Sequence, residues 1–295
     1  MINKNILLVL LSVSCLALGG IFVKISILGP ISTGVYRVLF SLPVFFYLTR
    51  YSKEKISLRD KLISMSAGVF LAFDLILWNI SFSFTTVANA NLLANLVPFT
   101  VVPLSYFIYK ERISRQFLVG GSVIFLGLII LLSGKLEPDA LNFKGDLLAL
   151  STSIFYGLFI ITIYRLRQSV STIYIMAYAS IGALLTLTPV AIVMEGVQIP
   201  LSLQAIAPLL GLAILSQVIG QGGLSYCLGK IPANLASLLV LTQPLISAVY
   251  AFILFKEKIS PIELLGIIVV LFGLYVANMK INTVKKIQLC PHKPA

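Results

Sequence analysis

The sequence predicts an all-α integral membrane protein with ten transmembrane helices arranged as two inverted five-helix repeats. Three observations lead to this fold class. Of the 295 residues, 59% are apolar and 11% are charged, whereas soluble domains have roughly 45–50% apolar and about 25% charged residues. Several apolar stretches have about 20 residues, the length that a helix needs to cross roughly 30 Å of hydrocarbon. The second half of the chain also repeats part of the first.

Helices are favoured over a membrane β-barrel because the apolar runs at 119–132 and 264–276 lack the alternation of barrel strands. Only Gly29-Pro30-Ile31 separates the first two apolar stretches, so nine or eleven spans are the alternatives to ten. Boundaries read from a sequence are accurate to a few residues. The ten expected spans lie near 6–28, 32–49, 62–83, 86–109, 114–133, 146–165, 172–194, 204–228, 232–255 and 261–279.

Basic residues fall mostly on one side of these spans. If the N-terminus is cytoplasmic, most of the 22 Lys and Arg residues lie in cytoplasmic segments, with clusters at 50–61, 110–115 and 280–293. Cytoplasmic loops of membrane proteins carry an excess of Lys and Arg. We therefore expect a multi-pass protein of the cytoplasmic (inner) membrane with cytoplasmic N- and C-termini. Because this bias accounts for the net charge of +12, we expect no nucleic-acid partner.

The sequence offers little for catalysis, metals or cofactors. Cys15, Cys227 and Cys290 have no CxxC spacing, and His292 is the single histidine, which argues against a metal site and a disulfide framework. The expected spans contain no spaced acid pair, no GxSxG motif and no phosphate-binding glycine loop. We therefore expect no enzymatic activity, no metal and no cofactor.

Part of the sequence is repeated. A shift of 146 residues aligns residues 90–128 with residues 236–274 without a gap and matches Pro98 with Pro244. An odd number of helices inserts the second repeat upside down relative to the first, a design found in many secondary transporters. Repeats also stabilise inert membrane scaffolds. The predicted units are a five-helix repeat at 1–134, an outer linker at 135–144, an inverted repeat at 145–280 and a cytoplasmic tail at 281–295.

Several motifs resemble those of the drug/metabolite transporter (DMT) superfamily, EamA type, over nearly the whole chain. The resemblance implies ten helices in two inverted repeats, with a central pocket lined by the first four helices of each repeat. It does not imply one substrate. The motifs are Pro30 with Arg37, the stretch from Trp78 to Ala90, the segment from Pro98 to Lys110-Glu111, and its copy from Pro232 through Pro244 to Lys256-Glu257.

The resemblance and the polar residues together predict a secondary transporter that works by alternating access. The expected substrate is a small polar metabolite, an amino acid or a related zwitterion. The alternatives are a carrier of organic cations, amines or nucleoside-type metabolites, a membrane scaffold, and a membrane enzyme. Membrane lipid and the small molecule are the expected partners. Oligomeric state, direction of transport and proton coupling are left open by the sequence.

Asp74 is the acid that lies deepest within an expected span. A charged carboxylate there costs roughly 2.5–3.5 kcal/mol on insertion scales, so it should be paired, protonated or exposed to water. Trp78 and Ser81 follow at helical spacing and share its face. In one interpretation Asp74 binds a substrate ammonium or a coupling proton and Trp78 supplies a π face. In the other, Asp74 forms a structural ion pair with Arg37 or Lys24.

Arg37 lies a few residues inside the outer end of the second expected span. Its planar guanidinium could hold a substrate carboxylate or Asp74, whereas snorkelling to the headgroups is the alternative. Lys24 lies near the outer end of the first span, and there we favour snorkelling. We therefore include Arg37, and not Lys24, among the candidate substrate-binding residues.

Amide side chains and prolines within the spans complete the candidate site. Buried amides need partners, so they should face protein or a wet cavity, although hydrogen bonding between helices is an alternative. A proline within a helix frees a backbone carbonyl, and paired proline-interrupted helices indicate a midplane site. The substrate-binding candidates of this kind are Asn91, Asn95, Gln217, Gln221 and Gln243, and the expected helix breaks are at Pro98 and Pro244.

A further set of glycines has a structural interpretation. Small residues that recur every seven positions form one face of a helix, on which another helix can pack closely. We therefore expect the last helices of the two repeats to use these glycines for helix contact. The glycines are Gly120, Gly127 and Gly134 in the first repeat and Gly266 and Gly273 in the second.

Overall fold

The structure is a computed structural model that describes residues 4–52, 54, 56–81, 84–85, 90, 93–110, 113–133, 143–255 and 260–278. All regular secondary structure within these residues is helical, as the sequence predicts. The helices are α1 Lys4–Ile25, α2 Pro30–Thr49, α3 Leu58–Ser81, α4 Val97–Tyr109, α5 Arg115–Ser133, α6 Phe143–Leu166, α7 Thr172–Glu195, α8 Leu203–Leu228, α9 Ala233–Val240, α10 Gln243–Phe255 and α11 Pro261–Asn278.

Seven helical stretches in the described residues are long and apolar enough to cross a membrane. Three shorter apolar helices accompany them, at Val97–Tyr109, Arg115–Leu131 and Pro261–Ala277. The start of the span expected at 86–109 falls largely outside the described residues. The seven long stretches are Lys4–Ile25, Pro30–Thr49, Leu58–Ser81, Phe143–Leu166, Thr172–Glu195, Leu203–Leu228 and Ala233–Leu254.

The third helix begins four residues earlier than the sequence analysis placed it. The backbone N–H of Asp60 donates to Ser57 Oγ at 3.1 Å, and Ser57 Oγ donates to the Asp60 carboxylate at 2.6 Å. This reciprocal cap satisfies groups that a helix end leaves unpaired. The helix therefore extends beyond the apolar stretch into polar sequence, which hydropathy does not reveal.

Within the part of the chain that the structure describes, helical geometry is interrupted at three places. The helix at residues 93–94 ends in a turn at Asn95, and α4 begins at Val97. In the same way α9 ends at Val240 and α10 begins at Gln243. Pro98 and Pro244 thus each occupy the second position of a helix, where a missing N–H breaks no helical hydrogen bond. The third interruption is a π-helical segment within α8, at Leu212–Gln221.

Close helix packing positions the elements around the centre of the molecule. The long helix α3 packs on α6 and α7, while α1 packs on α8 and α2 on α7. A Cβ at Gly68 would lie 1.8 Å from the carbonyl oxygen of Ala179, and one at Gly182 would lie 2.0 Å from that of Met65. Only glycine permits this approach of α3 to α7.

The helices α5 and α11 pack chiefly on each other through four glycines of the seven-residue pattern, whereas the fifth, Gly134, lies outside the described residues. A Cβ at Gly120 would lie 2.5 Å from the backbone nitrogen of Ala277, and one at Gly127 would lie 2.7 Å from that of Val270. From the opposite helix, Gly266 and Gly273 approach the backbone nitrogens of Leu131 and Ile124, at 2.5 and 2.7 Å. Their outer faces carry exposed apolar side chains such as Leu126 and Phe272, which suit contact with hydrocarbon.

A methyl group at Gly120 should therefore lower the stability of the protein. We expect Gly120→Ala to reduce the free energy of unfolding by about 1–3 kcal/mol or more, the usual cost of overpacking, because the new carbon meets backbone. Gly20→Ala is the matched control, since a Cβ at Gly20 meets nothing within 4 Å. The measurement is denaturation of the purified protein in detergent. Equal stability of the two variants would contradict the packing described.

Candidate functional site

A polar cavity of about 130 Å³ lies where α1, α2, α3, α6 and α8 meet the two interrupted helices. It contains one carboxylate and one guanidinium, from Asp74 and Arg37. Both side chains are partly exposed to the cavity. Six candidates from the sequence line it together with two residues that the sequence analysis did not single out. The polar and aromatic lining residues are Arg37, Asp74, Trp78, Asn79, Asn95, Tyr156, Gln221 and Gln243.

Asp74 and Arg37 interact electrostatically without forming a direct pair. Asp74 and Trp78 lie one turn apart on α3 and face the cavity together. Within the described residues, no hydrogen bond or ion pair shorter than 4 Å joins the Asp74 carboxylate to the Arg37 guanidinium, although both side chains line the same cavity. Space therefore remains between the two opposite charges.

Gln217 holds Arg37 rather than lining the cavity. The Nε–H of Arg37 donates to Gln217 Oε1 at 2.7 Å, and Gln217 is fully buried. This contact differs from the sequence analysis, which grouped Gln217 with the substrate-binding residues. Helical spacing from Gln221 does not show which of the two side chains reaches the cavity. The fixed Nε leaves the other guanidinium N–H groups available to the cavity.

Three buried amide atoms around the cavity have no hydrogen-bond partner: Gln217 Nε2, Gln221 Nε2 and Asn79 Oδ1. The amide of Asn79 is oriented by its nitrogen, which donates to the carbonyl oxygen of Pro30 at 3.3 Å. Tyr156 donates its hydroxyl to Gln221 Oε1 at 3.4 Å. Unsatisfied donors therefore lie on α8, next to Arg37 of α2, and the unsatisfied acceptor lies on α3 with Asp74. Buried polar atoms usually have partners, so the Nε2 of Gln221 and the Oδ1 of Asn79, whose residues line the cavity, are candidates to bind polar groups of a ligand.

Tyr156 and Asn79 are the cavity residues that the sequence analysis missed. Tyr156 lies within α6, a helix rich in apolar residues, where an aromatic side chain usually belongs to the core. Its ring also stacks on Phe159, with centroids 5.8 Å apart. Asn79 directly follows Trp78 and lies near the end of α3, a position at which a buried amide could have been noticed.

The remaining candidates lie elsewhere or outside the described residues. Asn91 is outside them. Pro98 lines a separate apolar groove of about 460 Å³ between α4, α5 and α9, and Asn95 lines both this groove and the polar cavity. Lys24 lies exposed in the last turn of α1, outside the cavity lining. The hydroxyl of Ser81 donates to the carbonyl oxygen of Trp78 at 2.7 Å.

Metal-binding geometry does not occur in the described residues, since they contain no group of three or more His, Cys, Asp or Glu side chains that could hold an ion. The side chains that line the polar cavity offer a ligand hydrogen-bond donors, hydrogen-bond acceptors, a carboxylate and a guanidinium. Pro244, the second expected helix break, lies beside Gln243, which lines the cavity at the start of α10.

The chain belongs to the EamA-like transporter family, whose model matches residues 3–133 and 143–279. This confirms the family resemblance seen in the sequence. The protein is a multi-pass transmembrane transporter of the EamA/DMT type, embedded in a membrane and acting on a small molecule.

Sequence alignments with two relatives cover most of the chain. A probable amino-acid metabolite efflux pump from Salmonella typhimurium is 23% identical over 252 residues, which are 82% of this chain and 83% of that protein. A protein of the same description from Escherichia coli K12 is 21% identical over 288 residues, 94% of this chain and 95% of that protein. A crystal structure superposes with a TM-score of 0.80 at 16% identity, covering 93% of this chain and 95% of that one, which shows a similar fold.

Loss of the Gln217 carbonyl should destabilise the protein through Arg37. We expect Gln217→Leu to reduce the free energy of unfolding by about 1.5–3 kcal/mol, the contribution of a hydrogen bond to a charged group. Ser225→Ala, also on α8, is the control, because the buried Ser225 hydroxyl has no hydrogen-bond partner. Denaturation of both variants in detergent measures the difference. If Gln217→Leu leaves the free energy of unfolding unchanged, Arg37 is held by other groups.

Proposed function

We propose that this protein is a secondary transporter that moves an amino acid or a related zwitterion across the cytoplasmic membrane by alternating access. The observation that carries the substrate class is the pair of opposite charges in one small cavity. A zwitterion has the complementary pair of charges on a compact frame. Two relatives described as probable amino-acid metabolite efflux pumps support the same substrate class.

The polar groups suggest how a zwitterion would bind. Its ammonium group would face α3, where Asp74 supplies a carboxylate, Asn79 an unpaired carbonyl oxygen and Trp78 an aromatic face. Its carboxylate would face α2 and α8, where Arg37 and the Nε2 of Gln221 supply donors. Hydrogen bonds to charged groups are stronger than those between neutral groups. Both charges of the ligand would therefore be satisfied in one orientation.

The size of the cavity favours a compact solute. Pockets for drug-sized ligands usually have volumes of about 300–1,000 Å³, and this cavity has about 130 Å³. An organic cation or amine is the second candidate, because Asp74 and Trp78 alone could hold a positive charge. It would leave the Nε2 of Gln221 and the guanidinium N–H groups of Arg37 other than Nε–H without a partner, so the zwitterion accounts for more of the cavity.

Alternating access rests on the proposed architecture of ten helices in two inverted repeats, at 1–134 and 145–280. The packing of α5 on α11 supports this architecture, because the contact of Gly120 with Ala277 corresponds under the 146-residue shift to that of Gly266 with Leu131. The helix interruptions before Pro98 and Pro244 are also related by the 146-residue shift. The family model matches two separate stretches of the chain. Inverted repeats can open a central site to either side of the membrane. We propose cytoplasmic N- and C-termini from the distribution of basic residues.

Neutralising each charge should remove recognition of one end of the substrate. We expect Asp74→Asn to weaken binding of a zwitterionic amino acid by about ten-fold or more, since a hydrogen bond to a charged group contributes about 1.5–3 kcal/mol. The same substitution should not affect a carboxylate ligand that lacks the amine. Arg37→Gln should have the reverse effect: it should weaken binding of the carboxylate ligand and leave binding of the corresponding amine unchanged. Titration calorimetry with the amino acid, the carboxylate ligand that lacks the amine, and the amine that lacks the carboxylate measures all three affinities.

Lys24→Gln is the control for charge, because it removes a cation from the same region outside the cavity lining. If Asp74→Asn leaves binding intact, and its lost stability is restored by Arg37→Gln, Asp74 is a structural partner of Arg37. If Asp74 carries a coupled proton, the Asp74→Asn protein should still exchange substrate across proteoliposomes but lose accumulation driven by a pH gradient. These outcomes separate recognition, coupling and structure.

A further inference from the structure

The helices α2 and α7 are joined at both of their ends by side-chain caps. At the first end, the backbone N–H groups of Ile31 and Ser32 donate to the two carboxylate oxygens of Glu195, each at 2.8 Å. The N–H of Gly29 donates to Gln198 Oε1 at 2.6 Å. The N-cap residue of α2 is a glycine and supplies no side-chain cap of its own. Glu195, the last residue of α7, therefore caps the start of α2.

The second end repeats the arrangement with the roles of the two helices exchanged. Glu54, five residues beyond the end of α2, accepts the backbone N–H of Ser171 at 3.0 Å. Ser171 is the N-cap residue of α7 and makes no side-chain cap itself. Arg167 interacts electrostatically with the same carboxylate. The segment after α2 therefore caps the start of α7, as the end of α7 caps the start of α2.

A tyrosine strengthens each cap in the same way. Tyr36, in the second turn of α2, donates its hydroxyl to the carbonyl oxygen of Gln198 at 2.7 Å. Tyr174, in the first turn of α7, donates to the carbonyl oxygen of Ser52 at 3.0 Å. Each capped helix thus holds the segment that caps it. Negative groups at helix N-termini are favoured by the helix dipole and by the unpaired N–H groups there.

The two caps lie near opposite faces of the membrane. The 20 residues of α2 give it a length of about 30 Å, close to the thickness of the hydrocarbon layer. Between the caps, Ile31 and Val38 of α2 pack with Ala183 and Leu187 of α7 in one apolar cluster. The pair is therefore joined at its two ends and packed along its length.

Both caps are formed at the same time in this structure. In a transporter of inverted repeats, a gating contact must break whenever the cavity opens to its face, whereas a contact within a unit that moves as one body stays formed in every state. Arg37 lies on α2 about two turns after the Glu195 cap, and its side chain lines the cavity. Opening of either cap would move this residue relative to α7.

We infer that Glu195 and Glu54 are positioning residues that keep α2 and α7 together as one unit throughout the transport cycle. Arg37 then stays in place while helices outside the pair open and close the cavity. The inference rests on the proposed alternating access, and it adds the identity of the elements that do not move. It assigns a role to two acids that lie outside the cavity.

Labelling of a cavity thiol tests this role without requiring a substrate. Gly20 lines the cavity, and a Cβ there meets nothing within 4 Å, so Gly20→Cys can report access in a background with Cys15, Cys227 and Cys290 replaced by serine. We expect Glu195→Gln and Glu54→Gln each to lower Tm but to leave labelling by an impermeant maleimide from either side within about twofold. If the caps are gates, the two substitutions should instead shift labelling in opposite directions, which would overturn the inference.

A cross-link at one cap provides the second test. A Cβ at Gly29 would lie 2.4 Å from Cδ of Glu195, so thiols in Gly29→Cys/Glu195→Cys should be within disulfide reach. We expect amino-acid exchange across proteoliposomes to continue after oxidation, at a rate similar to that of the reduced protein and of each single-thiol control. A loss of exchange that reduction restores would show that the helices must separate, and would overturn the inference. Absence of exchange by the unmodified protein would instead contradict the proposed function, and the labelling result would still stand.

Discussion

A guanidinium and a carboxylate buried among membrane helices require partners, and the structure supplies them only in part. Arg37 has one hydrogen bond, to Gln217, and lines the same cavity as Asp74 without pairing with it. Isolated charges are costly in a low-dielectric interior. The free sides of the two charged groups are therefore the strongest physical reason to expect a ligand here, and they explain why that ligand should carry both signs of charge.

Irregular helices make room for this arrangement. The π-helical segment of α8 ends at Gln221, and the interruptions at Asn95 and between α9 and α10 bring Asn95 and Gln243 to the cavity. π-Helical turns are rare and often occur at functional sites, and irregular backbone within a membrane is tolerated where it lines a cavity. By contrast, the α5 and α11 pair is regular and closely packed through glycine. Irregular backbone is found where a ligand would bind, and regular packing where helices only support it.

Much of this organisation could be predicted from the sequence. Composition and stretch length indicated membrane helices, the depth of Asp74 with Trp78 one turn later indicated a polar face, and Pro98 and Pro244 marked positions at which the helices are interrupted. Contacts between distant helices could not be predicted in the same way. Spacing does not reveal that Gln217 turns toward Arg37, that Tyr156 of an apolar helix reaches the cavity, or that Glu195 caps a helix more than 160 residues away. These features depend on which helices pack next to each other in the fold, and the spacing of residues in one sequence does not predict that packing.

Thermal unfolding of the purified protein with matched ligands tests most directly whether Arg37 and Asp74 together select a zwitterion. The ligands are amino acids, their carboxamides, their deaminated acids, simple amines, nucleosides and S-adenosyl compounds. A ligand that binds only the folded state stabilises it by about 2.7 kcal/mol at a concentration of one hundred times its Kd. We predict that amino acids raise Tm, and that an amino acid raises Tm more than either analogue lacking one charge at the same concentration. Equal stabilisation by the amine and the zwitterion, or stabilisation by nucleosides alone, would contradict the claim that Arg37 and Asp74 together select a zwitterion.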